Sequence, residues 1–346
     1  MKAARLHNYH EQLKLDEIDE PEAAGPLDVI VRIGGAGLCR TDLHIIEGQW
    51  AEITGVGLPY TLGHENAGWV EEVGSAVTNV EKGDTVIVHP LVTCGACRPC
   101  RRGDDMHCEN GAFPGIDTDG GMAHFLKTNA RGVVKLEPTL EPADIAALAD
   151  AGLTAYHAVA KAQDILQPGT KVLVQGSGGL GHIGIQCLKA MTAAEVIVID
   201  PSELALELAK ETGADHVVKV DGGHVDAVLE LTDGHGAEAI IDFVGEKGAT
   251  GDGVKMLRDG GFYYVIGYGE NINVPTIEMV SREISFIGNL VGTYDDLDRL
   301  MALTAQGKVR LETSTYPLEG VNDAIADLDA GRVKGRGILV PDEAPA

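Results

Sequence analysis

The sequence of 346 residues has few aromatic side chains, few basic side chains and no long apolar run at its start. Aromatic residues make up 4% of the chain against 44% hydrophobic residues, and 45 glycines are present. We therefore expect tight turns and close packing of helices on strands rather than a large aromatic interior. Because MKAARLHNYHEQLKLDEIDE holds no uninterrupted apolar stretch, the sequence predicts neither a signal peptide nor a membrane span, and we expect a cytoplasmic protein.

Basic residues are outnumbered: 27 Lys and Arg stand against 53 Asp and Glu, which gives a formal net charge of -26. Nucleic-acid phosphates would repel such a chain, and no basic block offsets the repulsion, so nucleic-acid binding is excluded. The acidic excess has two interpretations. One is an ordinary acidic protein, and the other, which we favour, is a halophilic protein whose self-repulsion is screened by a high-salt cytoplasm.

The length exceeds that of a usual single core and predicts two domains of an α/β protein. Before residue 150, short apolar runs separated by Gly, Pro and Asp predict small antiparallel strands. KVLVQ (171–175), a helical pattern and EVIVID (195–200) then begin an alternation that predicts an open, doubly wound parallel sheet. Mixed segments return near residue 290, so the C-terminal residues can complete the first domain.

Only six cysteines are present, and four of them lie in CGACRPCRRGDDMHC, residues 94–108. In a reducing compartment such clustered thiols are more typical of metal sites than of disulfides. Gly95, Pro99 and Gly103 bend the backbone so that the sulfurs can converge. Four thiolates satisfy tetrahedral zinc in a closed, structural site, with an iron–sulfur cluster or unliganded thiols as alternatives. The candidate ligands are Cys94, Cys97, Cys100 and Cys108.

A second set of metal ligands is spread along the chain: Cys39 in GLCRTDLHIIEG, His64 in TLGHENAGWV and Asp150 in ALADAGLTAYHA. A catalytic zinc site needs three protein ligands and one exchangeable position, and these residue types suit it. Taken singly, the cysteine is equally typical of a small core residue, the histidine of a satisfied polar group, and the aspartate of a helix cap.

The segment QGSGGLGHIG follows the strand KVLVQ and opens a helix, which is the context of a dinucleotide-binding fingerprint. Its glycines permit a tight turn, let the backbone approach a pyrophosphate and seat the helix on the sheet. Asp200 ends the next strand, where its carboxylate can bind both ribose hydroxyls and repel a 2'-phosphate. No arginine follows it, so we expect NAD rather than NADP. The loop residues are Gly176, Gly178, Gly179, Leu180 and Gly181.

GLCRTDLHIIEG, GHENAGWVEEVG, the four-cysteine segment, ADAGLTAYHA and the glycine loop occur in this order, and together they resemble the medium-chain zinc-dependent alcohol dehydrogenases. The resemblance covers essentially the whole chain. It implies a GroES-like, mostly β catalytic domain of residues 1–152 and 291–346 with a zinc lobe at 90–112. It also implies a Rossmann NAD-binding domain of residues 153–290, an active site in the cleft, and a homo-oligomer, more typically a tetramer than a dimer.

The resemblance also implies roles for residues around the scattered ligands. Cys39, His64 and Asp150 match the catalytic zinc ligands, and two cysteines with one histidine are the more usual set in alcohol dehydrogenases. An aspartate is a harder donor and should leave the metal more electrophilic. Other matches are Glu65, which can approach the metal, Asp42, which orients the ligating histidine, and Thr41 with His44, which relay a proton through the cofactor ribose.

Further matches concern the cofactor and the substrate. Arg40 and Arg336 match pyrophosphate-binding arginines, and the matches along the path to the nicotinamide are Phe243, Val244, Ile266, Asn289 and Val291. Trp50 and Leu290 favour an apolar substrate. We therefore expect reversible oxidation of a primary or secondary alcohol to an aldehyde or ketone, with NAD and two zinc ions per chain. The alternatives are a polyol or sugar dehydrogenase of the same superfamily and a non-catalytic protein that binds NAD and zinc.

Overall fold

The structure, a computed structural model, describes residues 1–342. The chain forms two compact units. The first contains Met1–Leu153, Thr293–Ala305 and residues 310–342, and the second contains Thr154–Gly292 and Gln306–Val309. These ranges differ from the predicted domains at residue 153, at residues 291–292 and at residues 306–309.

The larger sheet of the first unit has seven strands: β3 (Asp28–Leu38), β5 (Glu65–Val73), β6 (Thr85–Val88), β7 (Phe125–Asn129), β8 (Val133–Lys135), β15 (Thr313–Pro317) and β16 (Arg336–Val340). Their order is β15-β16-β3-β5-β6-β8, with β7 also paired to β3. Neighbours are antiparallel except β15 and β16, so the predicted antiparallel strands are confirmed. Alternating apolar residues such as Val29, Val31 and Ile33 of β3 are buried in the core.

A smaller antiparallel sheet in the same unit has the order β2-β1-β4, formed by β1 (Lys2–Leu6), β2 (Lys14–Glu17) and β4 (Tyr60–Thr61). Short helices connect the strands. They are α1 (Arg40–Ile46), α2 (Ala51–Thr54), α3 (Arg98–Arg102), α4 (Pro142–Ile145), α11 (Tyr294–Ala305) and α12 (Val321–Asp329). In the described part of the chain, four 3₁₀ segments lie at Asp105–His107, Ala130–Gly132, Ala146–Ala149 and Leu318–Gly320.

The second unit is built on β9 (Lys171–Gln175), β10 (Glu195–Asp200), β11 (His216–Lys219), β12 (Ala237–Asp242), β13 (Leu257–Val265) and β14 (Ser285–Gly288). Every pairing is parallel, and the order is β11-β10-β9-β12-β13-β14. The predicted strands KVLVQ and EVIVID are confirmed at their bounds, because strands buried on both faces read as continuous apolar runs.

Helix α5 (Ala151–Ala162) precedes β9. The helices between the strands are α6 (Gly181–Met191), α7 (Glu203–Glu211), α8 (His224–Leu231), α9 (Ala249–Met256) and α10 (Thr276–Arg282). The strand order reverses its direction between β9 and β12, and ligands bind beyond the carboxyl ends of strands at such a point. The predicted α/β class with a doubly wound parallel sheet is confirmed. Among residues 1–342, no helix has the length and apolar character required to cross a membrane.

Candidate metal centres and cofactor site

Strand register brings the first metal cluster together. Cys39 follows β3 and caps α1, while Glu65 begins β5, directly after His64. In the β3–β5 register Gly37 lies opposite Glu65, and a Cβ at Gly37 would stand only 2.8 Å from the glutamate Cβ. Position 37, the glycine of GLCRTD, must therefore lack a side chain, because a Cβ there would clash with Glu65. Asp150 enters the same region from the break between the 3₁₀ segment Ala146–Ala149 and α5.

The ligand atoms of Cys39, His64, Glu65 and Asp150 all lie within 4.8 Å of one another. His64 Nε2 stands 3.6 Å from Asp150 Oδ2, and the cysteine, histidine and glutamate are buried. The structure thus brings the three predicted ligands together, and it adds the glutamate to the same cluster.

The cluster fits a bound cation. Within residues 1–342, His64 Nε2 and Glu65 Oε2 are buried without a hydrogen-bond partner, although buried polar atoms normally have one. A thiolate, an imidazole nitrogen and carboxylate oxygens are the ligands that zinc takes in proteins. Three ligands from Cys39, His64 and Asp150 would leave a fourth position for a small molecule.

Asp42 supports the cluster from behind. Its side chain is fully buried, Oδ2 accepts a hydrogen bond from the Cys39 amide at 2.8 Å, and Oδ1 stands 3.4 Å from His64 Nδ1. A carboxylate at Nδ1 directs Nε2 toward the metal position and fixes the tautomer. Burial alone would lower the pKa of His64, but the charges of Asp42 and Cys39 outweigh it and hold the pKa well above 6.5 in the metal-free protein.

Arg336 lies against the same cluster. Its Nη2 donates to Glu65 Oε1, which also accepts the Ala151 amide at 3.2 Å, and both charged side chains are buried. Burial raises the pKa of Glu65 and that of Asp150, while the guanidinium opposes both shifts. The sequence did not predict this ion pair, and pyrophosphate binding by Arg336 stays a prediction. Its placement follows from β16 pairing with β3, where Gly337 lies opposite Leu38.

The other predicted residues of the first unit lie on α1 and at the start of α2. Arg40 is exposed, Thr41 and His44 are half-buried on α1, and Trp50 precedes α2, half-buried against the core. Leu290, the other predicted substrate contact, belongs to the second unit and is 52% exposed.

The second cluster consists of four cysteines around α3. Their Sγ atoms all lie within 4.8 Å of one another, and Cys97 and Cys108 Sγ are 4.0 Å apart. Four thiolates about 2.3 Å from a single tetrahedral ion stand about 3.8 Å apart, so the spacing fits one zinc ion rather than a larger iron–sulfur cluster. Gly95 and Gly103 have φ of 68° and 84°, which turns the chain back on itself as expected.

Backbone amides stabilise the thiolates of this cluster. Cys94 Sγ accepts hydrogen bonds from the amides of Ala96 at 3.5 Å and Cys97 at 3.4 Å, and these bonds lower the pKa of Cys94 to about 6. Cys108 Sγ accepts from the Cys94 amide at 3.2 Å. Four protein ligands close the site, so it fits a structural metal.

The glycine loop of the second unit joins β9 to α6. Gly176 has φ of 84°, and Gly181 packs on its carbonyl so closely that no Cβ would fit. A Cβ at Gly178 would meet nothing within 4 Å, which leaves space for a phosphate to approach the backbone. Gly179 and Leu180 complete the turn before α6.

Asp200 lies at the carboxyl end of β10. Its Oδ2 accepts the Ser177 amide at 2.9 Å and its Oδ1 accepts the Ser202 amide at 2.8 Å. These bonds fix the carboxylate beside the glycine loop and leave lone pairs for two hydroxyl groups. The arrangement suits an adenosine ribose.

The residues predicted along the nicotinamide path follow three neighbouring strands. Phe243 and Val244 follow β12, Ile266 follows β13, and Asn289 and Val291 come after β14. Asn289 donates to the carbonyls of residues 265 and 287, while its Oδ1 is buried without a partner in the described chain. Parallel strands place all these residues at one edge of the sheet. Their contacts with a cofactor stay predictions.

Asp242 and Tyr263 are residues of this edge that the sequence analysis did not single out. Both are fully buried, and their side chains are hydrogen-bonded at 2.7 Å. The signal in the sequence was an aspartate that ends an apolar strand, AIID, without any local partner.

Comparisons with known proteins agree with both sites. The family described as "Alcohol dehydrogenase GroES-like domain" matches residues 25–138, and "Zinc-binding dehydrogenase" matches residues 179–306. An NAD-dependent alcohol dehydrogenase of Sulfurisphaera tokodaii is 36% identical, covering 99% of this chain and 100% of the relative. A D-arabinose 1-dehydrogenase (NADP(+)) of Saccharolobus solfataricus is also 36% identical, covering 98% of this chain and 97% of the relative.

Among solved structures, the alcohol dehydrogenase of the hyperthermophilic archaeon Aeropyrum pernix superposes with a TM-score of 0.96. The two sequences are 48% identical, and the match covers 99% of this chain and 100% of the Aeropyrum pernix chain. Identity at this level over the full length, together with the two domain matches and the two clusters, shows membership of the family and not only a shared fold. The chain belongs to the medium-chain zinc-dependent alcohol dehydrogenases.

Proposed function

We propose that this chain is an NAD-dependent zinc alcohol dehydrogenase that interconverts a primary or secondary alcohol with its aldehyde or ketone. The observation that carries the proposal is the buried cluster of Cys39, His64 and Asp150. Within residues 1–342, His64 Nε2 faces this cluster without a hydrogen-bond partner. Three ligands and one open position are typical of catalytic zinc, whereas the four-cysteine cluster is closed and structural.

When bound, zinc supplies a Lewis acid for the substrate oxygen, and NAD accepts the hydride. The protein contributes the placement of these groups. Cys39, His64 and Asp150 hold the metal position, and Asp42 fixes the His64 ring through its 3.4 Å contact with Nδ1. Thr41 and His44 lie on the helix that follows Cys39, where a hydroxyl and an imidazole can carry the substrate proton away.

The cofactor we propose is NAD rather than NADP. The Asp200 carboxylate is fixed by the amides of Ser177 and Ser202, so it cannot turn away from a 2'-phosphate without losing two hydrogen bonds. Like charge at that position disfavours NADP. The D-arabinose relative is named for NADP(+), so cofactor choice varies among similar chains.

A second candidate function is the oxidation of a sugar or polyol, which the similarity to the D-arabinose 1-dehydrogenase favours. The apolar side chains of Trp50 and Leu290 support an apolar alcohol instead. A non-catalytic role is disfavoured because a structural protein has no need of a buried cluster with an open ligand position.

We further propose a homo-oligomer, a tetramer rather than a dimer. The edge strand β14 and the neighbouring α10 support association, since Ile277 and Val280 of α10 are 73% and 76% exposed. Six cysteines, none paired in a disulfide within the described chain, support a reducing compartment such as the cytoplasm. The net charge of -26 supports a high-salt environment.

The proposed function is tested with purified protein by counting metal and screening substrates with NAD. We expect two zinc equivalents per chain and turnover of aliphatic or benzylic alcohols above that of polyols and D-arabinose. Asp150→Ala should hold one equivalent, lose turnover and still bind NAD, while Asp144→Ala, at an exposed aspartate of α4, should match the wild type. A replete wild type with a single metal ion, or a fully active Asp150→Ala, would overturn the proposal.

A further inference from the structure

Asp242, the last residue of β12, is a fully buried carboxylate outside both metal clusters. Buried carboxylates are costly unless several donors compensate them. Here Oδ1 accepts hydrogen bonds from the amides of Val244 at 2.8 Å and Gly245 at 3.0 Å, and Oδ2 accepts the Tyr263 hydroxyl at 2.7 Å. Three donors on one carboxylate make this residue the centre of a network rather than a passive core residue.

The backbone of Asp242 extends the network to the next strand. Its carbonyl oxygen accepts the amides of Ile266 at 3.0 Å and Gly267 at 2.9 Å. A single residue therefore holds the backbone that follows β12 and the backbone that follows β13. Val244 and Ile266, two of the residues predicted to line the nicotinamide path, are held in this way, and Phe243 lies between Asp242 and Val244 in the chain.

Tyr263 links the network to the glycine loop. Its hydroxyl stands 3.3 Å from Oε1 of Gln175, the residue directly before Gly176, and Gln175 accepts the Phe243 amide through its own carbonyl at 3.0 Å. A Cβ on Gly176 would lie 2.7 Å from Val244 Cγ2, so the two loops are in direct contact. A displaced loop after β12 would therefore disturb the turn that approaches the pyrophosphate.

We propose that Asp242 is a positioning residue for the dinucleotide: it fixes the Phe243–Gly245 segment and residues 266–267 against the glycine loop before the cofactor binds. The inference rests on the proposed function, since it takes NAD as the cofactor. Segments that are ordered before binding do not have to be ordered by the ligand, and this raises affinity. The nicotinamide half should depend on the network more than the adenosine half, which Asp200 and the glycine loop hold.

Three variants remove different parts of the network. Asp242→Ala removes all three side-chain bonds, whereas Tyr263→Phe removes the bond to Oδ2 and the contact with Gln175 and keeps the two amide bonds to Oδ1. Asp242→Asn keeps an oxygen for the two amides and turns an NH₂ group toward a hydroxyl that can accept from it. Tyr264→Phe is the matched control, because this neighbouring buried tyrosine bonds to the Lys161 carbonyl instead.

The test measures NAD and ADP-ribose binding by calorimetry on the zinc-replete, full-length protein, together with KM for NAD, KM for alcohol and kcat. We expect the Kd for NAD to rise about tenfold in Asp242→Ala and about threefold in Tyr263→Phe. It should stay within about twofold of the wild type in Asp242→Asn and in the control. ADP-ribose, which lacks the nicotinamide, should lose less affinity than NAD, and the zinc content should not change.

Unchanged NAD affinity in Tyr263→Phe and a folded Asp242→Ala would overturn the inference. So would an equal loss of NAD and ADP-ribose affinity, since the network is proposed to act more on the nicotinamide half than on the part of the cofactor that ADP-ribose shares. Should Asp242→Ala fail to fold, the other two variants still test the inference. The Kd for NAD should rise in Tyr263→Phe and stay near that of the wild type in Asp242→Asn. A wild type that binds zinc but no NAD would refute the proposed function itself, and this inference with it.

Discussion

The buried ion pair between Arg336 and Glu65 gives a prediction with a calculable size. Replacing Arg336 by Met removes the positive charge and keeps an apolar chain of similar reach. Glu65 is 0% exposed and Arg336 is 4% exposed, so the substitution leaves the carboxylate in a buried site. The carboxylate would keep the Ala151 amide as its donor.

In the metal-free protein, removal of one partner from a buried pair costs about 3–5 kcal/mol, because the remaining buried charge has lost its counter-ion. For a unit of this size each kcal/mol moves the unfolding midpoint by roughly 2–4 °C, so Arg336→Met should lower it by roughly 6–20 °C. The double variant Glu65→Gln/Arg336→Met leaves no charge of the pair. It should therefore lose less stability than Arg336→Met alone.

The assay uses the two tryptophans, Trp50 and Trp69, which both lie in the first unit. Their fluorescence during urea unfolding therefore reports the unit that holds the ion pair. Lys82→Met is the control, since the Lys82–Glu71 pair is exposed and its loss should leave the midpoint near that of the wild type. A loss of unfolding free energy below about 1 kcal/mol in Arg336→Met would refute the reasoning. So would a loss in the double variant that equals the sum of the losses in the two single variants.

Three further predictions concern pH and salt. His44→Gln should lower turnover at low pH and recover in part as the pH rises, because hydroxide then replaces the missing base; the pH profile of kcat checks this, and an unchanged profile removes His44 from the relay. The Lys127 ammonium lowers the pKa of Asp28 below 3.8, so the stabilisation is present above the unfolded-state pKa and is lost as the pH falls through the folded-state pKa. Urea titrations from about pH 5 downward should show a shallower loss of unfolding free energy in Asp28→Asn than in the wild type, and parallel curves would contradict it. Molar potassium chloride should raise the thermal midpoint of a chain with a net charge of -26, whereas a flat or falling midpoint contradicts the high-salt interpretation.

Local patterns were sufficient for much of the fold and for the structural metal cluster. KVLVQ and EVIVID could be assigned at their exact bounds because strands buried on both faces are continuous apolar runs. The four cysteines lie within fifteen positions of one another, so their spacing alone indicates that the sulfurs can converge. Both features depend only on residues near in sequence.

The catalytic cluster is different, because its members come from distant segments. Nothing local in GLCRTD or ALADAG indicates that Cys39 and Asp150 meet, and only the order of several motifs, read as a family resemblance, suggested it. The register of β3 with β5 and β16 is what brings Glu65 and Arg336 to Cys39. The pairing of strands that are far apart in sequence cannot be inferred from local hydrophobic periodicity. The Arg336–Glu65 ion pair was therefore not predicted.

The charges of the cluster explain why an arginine belongs beside it. Four groups that can carry negative charge, on Cys39, Asp42, Glu65 and Asp150, lie together beside the single guanidinium of Arg336, so negative charge is in excess. A divalent ion would offset that excess. Without the arginine, Glu65 would need the metal as its counter-ion and would compete for the open ligand position. We therefore expect Arg336 to keep Glu65 from ligating the metal, which would leave Cys39, His64 and Asp150 as the three ligands and a fourth position for a substrate oxygen.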